Sequence, residues 1–226
     1  MNARVAIVTG AGGALGRATC TTLADGGFTV VGVDRNESAL RELSDGIRSE
    51  VADTTDPTVP AVLVDRITEG VGPPEVLVNT IGAFQLGDAL GATPETLRLM
   101  IDVNLGAALW LSQAVAPHMQ RRGSGAIVHV TARPAIEPTA GMVAYSVSKA
   151  ALAHLTRILD VELRPHGIRV NAVAPQLMDT SANRASFPPE VLAHAVAPEL
   201  IAGLIAFLVS DAAAPVSGAI LPAYGA

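Results

Sequence analysis

Arg4–Thr9 (RVAIVT) is an apolar run of strand length that ends in a glycine cluster, Thr9-Gly10-Ala11-Gly12-Gly13-Ala14-Leu15-Gly16, and a helical stretch, Leu15–Asp25, follows at once. Glycines allow the tight turn, and the following helix N-terminus offers unpaired N–H groups and a favourable dipole. Such a turn is a cradle for a pyrophosphate, and its context between a strand and a helix is the one the motif requires. The same alternation continues along the chain. Strand-like runs follow at Phe28–Val33, weakly near Ser49–Val51, at Glu75–Asn79, Gly125–Thr131, Ile168–Ala174 and Ala219–Leu221. Helical stretches fall at Thr93 to about Arg122, with room for a break, and at Val143–Arg164 and Glu199–Ser210. Short strands apolar on both faces and separated by helices imply a parallel sheet covered on both sides. The expected fold class is α/β, a Rossmann-type doubly wound parallel sheet, with residues 1–226 as a single nucleotide-binding domain, because no linker or composition shift divides the chain.

Composition narrows the function. Half of the residues are hydrophobic, 16% are charged and the formal net charge is −6, with no cluster of Lys and Arg. The basic footprint of a nucleic-acid binder is lacking. The single cysteine, Cys20, allows no internal disulfide, and no HExxH, CxxC or carboxylate cluster predicts a metal site. Met1-Asn2-Ala3-Arg4 leads straight into the first strand without the pattern of a signal peptide. The charge-free run Val103–Gln120 has membrane-spanning length, but Asn104, Ser112, Gln113, Pro117 and His118 mark it as a helix buried in the core or at a subunit contact. A soluble, cytoplasmic protein acting on a small molecule is expected, with no nucleic-acid or membrane partner.

Asp34 lies at the end of the second strand, about 20 residues beyond the glycine turn, where an acid can bond the ribose hydroxyls and repel the 2′-phosphate of NADP. NAD is therefore the expected cofactor, although Arg35 beside it could turn towards a phosphate. Tyr145 and Lys149 in Tyr145-Ser146-Val147-Ser148-Lys149 stand at i and i+4 on one helix face. An ammonium near a phenol should lower the phenol's pKa and ready it for acid–base work.

Taken in order, TGAGGALG, Asp34, Asp53, Asn79, Asn104 in DVNLG, YSVSK, IRVNAVAP and SGAILP resemble the short-chain dehydrogenase/reductase family along nearly the whole chain. The resemblance implies hydride transfer between NAD and a carbonyl, or a conjugated imine or quinonoid compound, in a homodimer or homotetramer. It implies Gly10, Gly12, Ala14, Leu15, Gly16, Asp34, Arg35, Asp53, Asn79, Lys149, Pro175 and Thr180 as cofactor contacts. Asp53 would hold the adenine, Thr180 the nicotinamide carboxamide, and Asn104 a proton-relay water. Tyr145 would be the acid–base group, with Lys149 depressing its pKa.

The departures are as informative. Ala14 stands for a glycine, Thr80-Ile81 for Asn-Ala, and Gln176 for the glycine after Pro175. The serine expected thirteen residues before Tyr145 is Ala132. Thr131 is the neighbouring hydroxyl, but adjacent strand side chains point to opposite faces, so it replaces the serine only if the strand end twists. The lost serine, with Ala135–Tyr145 and Asp179–Arg184, is similar to the quinonoid dihydropteridine reductase branch, whose substrate is already electrophilic. Within the irregular segment Asp179–Pro198, Asn183 and Arg184 are candidate substrate contacts. Two other readings stay open: a ketoreductase of acyl thioesters or alcohols that uses Thr131 or a water, and a nucleotide-binding regulatory relative without turnover.

Overall fold

The computed structural model describes residues 4–225; Met1–Ala3, the start of the N-terminal run, and Ala226 lie outside the described residues. Seven parallel strands form one sheet: β1 (Val5–Thr9), β2 (Thr29–Asp34), β3 (Arg48–Val51), β4 (Pro74–Asn79), β5 (Gly125–Val130), β6 (Ile168–Pro175) and β7 (Ile220–Ala223). Their order across the sheet is β3-β2-β1-β4-β5-β6-β7. The winding direction therefore reverses between β1 and β4, and the crevice at that reversal is where open α/β sheets bind ligands.

Successive strand side chains go to opposite faces and feed two separate cores. Ala6, Val8, Val76, Val78, Ala126 and Val128 pack beneath helices α1 (Ala14–Asp25) and α9 (Pro198–Val209) through Leu23, Ile201 and Ile205. Val5, Ile7, Leu77 and Ile127 meet the other layer, α3 (Val59–Gly70), α5 (Ala107–Arg122) and α6 (Val143–Leu163), through Leu63, Leu111, Met119 and Leu159. Leu63, Val64 and Ile67 bury the inner face of α3, a helix that the sequence reading leaves unassigned. The short α2 (Glu37–Leu40) is capped by Asn36, whose side chain accepts from the backbone of Ser38 and Ala39.

The run from Pro94 to Arg122 is long and apolar enough to cross a membrane by length and composition. Here it is α4 (Pro94–Ile101), one π-helical turn over Asp102–Gly106, and α5. Two of its polar residues, Asn104 and Ser112, are buried against the fold, Trp110 is half-buried, and Gln113 is exposed. The segment Asp179–Pro198, expected to be irregular, holds two short helices, α7 (Ser181–Ser186) and α8 (Pro189–Leu192), and a bridge between Met178 and Val196. Thr180 caps α7 by accepting from the Asn183 N–H, so the segment is a folded flap rather than a loop.

His129 on β5 is fully buried between Ser112 of α5 at 3.2 Å and Thr156 of α6 at 3.0 Å. Burial, and then the nearby Lys149 charge, push its pKa down to about 3. The unfolded chain binds a proton near the ordinary value of about 6.5, which the folded protein refuses. Stability is therefore lost as the pH falls from 6.5 towards 3. A His129→Gln variant should be less stable than the parent at pH 7 by about 1–2 kcal/mol, for one weakened buried hydrogen bond. Between pH 6.5 and 4 its denaturation midpoint should fall less steeply than the parent's. Parallel pH profiles in urea melts would show that His129 does not govern acid sensitivity.

Candidate active site

The turn after β1 is built on glycine for reasons of space. Gly10 has φ +69°, and a Cβ there would sit 2.8 Å from Thr80 Oγ1; one on Gly16 would sit 2.1 Å from the Gly10 carbonyl oxygen. Ala14 opens α1, and Leu15 behind it is buried and reaches the wall of the adjoining cleft. Across the reversal point, Thr9 donates its hydroxyl to Asn79 Oδ1 at 2.6 Å, and Thr80 donates backbone N–H and side-chain hydroxyl to the Thr9 carbonyl. Asn79 thus locks β1 to β4, a structural task in addition to the cleft position expected of it. Asp34 accepts from the Gly12 N–H at 3.0 Å and from the Asn36 N–H at 2.9 Å, which holds its carboxylate over the glycine turn. Arg35 leans to Asp53, with 4.0 Å between guanidinium and carboxylate. Asp53 also accepts from the Thr55 N–H and hydroxyl, and these bonds hold its carboxyl below the usual range.

A dinucleotide fits this turn. A Cβ on Gly12 would lie 2.6 Å from the Ala39 methyl and 3.1 Å from Asp34 Oδ2, and added side chains at Gly10 or Gly16 would close the turn itself, so the turn presents bare backbone beside the Asp34 carboxylate. The chain of backbone amides at the start of α1 suits a pyrophosphate.

The chemical end lies beyond the C-terminal edges of β4, β5 and β6. A cavity of about 450 Å³ runs from Leu15 past Thr80 and Gly82 to Tyr145, Lys149 and the flap residues Asn183, Phe187 and Val191. Lys149 is 4% exposed and donates from Nζ to the Val130 carbonyl at 2.8 Å. A Cβ on Gly82 would lie 3.0 Å from that Nζ and 3.1 Å from Asn104 Oδ1, so a side chain at 82 would invade the site. The π turn sets Asn104 inward, 1% exposed. Its Oδ1 accepts from the Ala83 N–H at 2.9 Å, and its Nδ2 donates to the Ala83 carbonyl at 3.0 Å and to Ser148 Oγ at 2.9 Å. Ser148 in turn donates to the Tyr145 carbonyl at 2.8 Å. One carboxamide therefore fastens the loop after β4 to the second turn of α6. Phe84 from that loop meets the Tyr145 ring edge-on, with centroids 5.0 Å apart and planes at 86°.

Several expectations change here. Burial raises the Tyr145 pKa to about 12, where the i, i+4 spacing to Lys149 predicts a fall. Desolvation outweighs the ammonium, which points to the Val130 carbonyl and is itself pulled down to about 8 by burial. Thr131 does not replace the serine: it is 2% exposed and donates its hydroxyl to the Val173 carbonyl at 3.1 Å. Ala132 presents the position to the cavity, as does Pro175 at the end of β6. Arg184 makes a two-pronged ion pair with Asp179, at 2.5 and 2.7 Å, and stands outside the cavity wall formed by the described residues. Asn183 does line the cavity, but its amide donates to the Met178 carbonyl at 2.8 Å. Thr180 likewise serves the flap as the α7 cap. Sequence reasoning missed Phe84, Ser148 and the Ala83 and Val130 backbone groups. Ser148 sits within the quoted YSVSK, whereas a backbone carbonyl leaves no mark in a sequence.

The family described as short chain dehydrogenase matches residues 4–191. The chain belongs to that family. Galactitol 2-dehydrogenase of Rhizobium johnstonii is 36% identical over 240 residues, covering 96% of this chain and 91% of the relative. Cis-4-hydroxycyclohexanecarboxylate dehydrogenase of Sinomonas cyclohexanicum is 37% identical over 238 residues, covering 98% and 95%. The structure of an NAD+-bound xylitol dehydrogenase superposes with a TM-score of 0.93 at 26% identity, covering 100% of this chain and 99% of that one. The chain is thus an oxidoreductase of the short-chain dehydrogenase family.

Proposed function

We propose that the protein interconverts a secondary alcohol and its ketone with NAD(H), and that the body of its substrate is apolar. The observation that carries this reading is the shared cavity: Tyr145 and Lys149 open into it beside the glycine turn, and its outer walls are Phe84, Leu86, Met142, Leu177, Met178 and Phe187. A polyol would need partners for many hydroxyls. The lining hydroxyls of Thr80 and Thr131 and an amide hydrogen of Asn183 are already given to backbone carbonyls. A ring alcohol, as in the cyclohexane-acid relative, matches this lining better than galactitol does.

Bound at the turn by the backbone of Gly10–Gly16 and by Asp34, a nicotinamide dinucleotide supplies or accepts the hydride. Tyr145, protonated at neutral pH with its pKa raised to about 12, donates its phenolic proton to the carbonyl oxygen during reduction. Lys149, held by the Val130 carbonyl, keeps the cleft's positive charge beside it, and Asn104 ties the Tyr145 backbone to the loop after β4 through Ser148 and Ala83. Ala132 favours a second reading, in which the acceptor is a conjugated imine or quinonoid ring that needs little help from a donor. The exposed Val147, Ile158 and Val161 on one face of α6, with Leu97 on the neighbouring α4, form the surface we assign to a second subunit. Sedimentation velocity of Val161→Glu should show a smaller species than the parent, and an unchanged monomer in both would remove this assignment.

Initial rates with apolar cyclic alcohols and ketones, polyols and a quinonoid dihydropterin test the main reading. The cyclic compounds should give the highest kcat/KM, and Tyr145→Phe should lower kcat by roughly 10²–10⁴, the worth of a positioned acid–base group, with NADH affinity kept. Tight NADH binding with no turnover on the whole panel would mark a binding protein instead. A second outcome concerns the cofactor. Asp34→Ser removes the carboxylate that would repel a 2′-phosphate and should move the NADH-to-NADPH preference by about tenfold or more towards NADPH, a change of about 1.4 kcal/mol. An unchanged ratio of the two affinities would show that Asp34 does not select the cofactor.

A further inference from the structure

Two departures from the family pattern, Ala132 and Gln176, meet at one place. β5 and β6 pair in constant register from Gly125/Ile168 to Val130/Val173. Carried past the strand ends, that register sets Ala132 beside Pro175 and Arg133 beside Gln176. The side chains confirm the second pairing: Arg133 Nη1 donates to Gln176 Oε1 at 2.8 Å. A guanidinium only donates, so the carboxamide must turn its oxygen to Arg133 and its NH2 away. Arg133 is itself held, by an ion pair from its Nε to Glu137 at 2.7 Å and by stacking 4.8 Å over the Tyr224 ring.

The NH2 of Gln176 meets one acceptor among the described residues, the His194 carbonyl at 3.5 Å. That lies beyond the usual range of about 2.7–3.2 Å for an N–H donor. An NH2 carries two hydrogens, so donor capacity is left over. Gln176 lines the same cavity as Ala132 and Tyr145. Of the other uncharged polar side chains on that wall besides Tyr145, Thr80 and Thr131 have given their single hydroxyl hydrogen to backbone carbonyls, and Asn183 donates from its amide to the Met178 carbonyl within its own flap.

We propose that the Gln176 carboxamide supplies the hydrogen-bond donor to the substrate oxygen that the Ala132 methyl cannot, and that Arg133 is the positioning residue that orients it. The inference rests on the alcohol/ketone reading above. It also gives the glycine-to-glutamine departure a chemical purpose. A glycine after Pro175 offers no side-chain donor, whereas a glutamine reaches from the neighbouring strand end into the space beside position 132. No bond to the substrate forms or breaks at Gln176. Its NH2 stabilises the negative charge that gathers on the oxygen while Tyr145 supplies the proton.

The test measures kcat and KM for the best ketone of the panel, with NADH affinity by fluorescence titration as the fold control. The variants are Gln176→Leu, Gln176→Glu, Ala132→Ser and the double variant Ala132→Ser/Gln176→Leu. Gln176→Leu and Gln176→Glu should each lower kcat by roughly 10²–10³, as removal of an oxyanion donor does, with NADH affinity held. The two variants differ in charge and shape, so a folding fault in one does not decide the outcome. In the double variant the new serine should restore kcat at least about tenfold, yet add less than about threefold to the parent, because the two donors serve one oxygen and are not additive. Arg133→Lys should keep part of the rate, and Arg133→Met should lose kcat rather than raise KM. Loss of less than about threefold in both Gln176 variants, or equal gains from the serine in both backgrounds, would overturn the proposal while leaving the alcohol/ketone reading in place. Absence of any ketone turnover in the parent, with NADH bound, would overturn the alcohol/ketone reading first and this inference with it.

Discussion

The site depends on one buried carboxamide. Asn104 spends both its donors and its acceptor on Ala83 and Ser148, so three segments distant in sequence are joined within the reach of one side chain. A buried amide left unpaired costs about 1–3 kcal/mol per group, so each partner is held as firmly as it holds. The π turn makes this possible. An uninterrupted α-helix from Pro94 to Arg122 would carry the residues after the turn about 100° away, because one extra residue in the turn shifts the phase by one residue's rotation. The helix thus gives up regularity at the point where the site needs a particular side chain to face inwards.

The sheet supplies the second constraint. Winding reverses between β1 and β4, and the Thr9–Asn79 hydrogen bond closes the sheet at that reversal. The glycine turn, the Thr80–Gly82 loop and the end of β5 therefore open on one crevice. A dinucleotide site and a proton-donor site become neighbours because they stand on adjacent strand ends, with no long loop needed to bring them together. What covers the crevice is the flap of α7 and α8, held by the Arg184–Asp179 ion pair, the Thr180 cap and the Met178–Val196 bridge. It is the part of the molecule where the sequence reading was poorest, and it forms the apolar wall.

That difference in legibility has a physical origin. The inner strands β1, β2, β4, β5 and β6 were readable because both faces are buried and the runs are largely apolar, whereas the exposed, polar β3 gave only a weak signal. The glycine turn, Asp34, Asn104, Tyr145 and Lys149 were readable because backbone space, charge or proton transfer restricts the residue type. Helix α3 was not, since Val59, Val62, Val64, Ile67 and Thr68 are β-branched and argue locally against helix, which only the packing of Leu63, Val64 and Ile67 on the sheet overrides. Arg184 looked like a free cation because Asp179, five residues earlier, is out of helical register with it. Their pairing requires the turn that Thr180 caps. Thr131 lines the cavity with its hydroxyl given to the Val173 carbonyl, a partner visible only once β5 and β6 are paired.

The fall expected for the Tyr145 pKa fails for a related reason. Spacing along a helix reports that two groups share a face; it does not report what surrounds them. Burial opposes charge on both partners, so the phenol rises to about 12 and the ammonium falls to about 8. Their attraction would reward the charged pair, but Lys149 is directed to the Val130 carbonyl and the phenol stays neutral. A cleft of this kind keeps its proton on the tyrosine at neutral pH, which suits donation to a carbonyl. Forming the phenolate for the reverse reaction requires further positive charge or hydrogen-bond donors near the phenol oxygen. In this chain, where the serine is an alanine, that demand falls on groups that enter with the ligands.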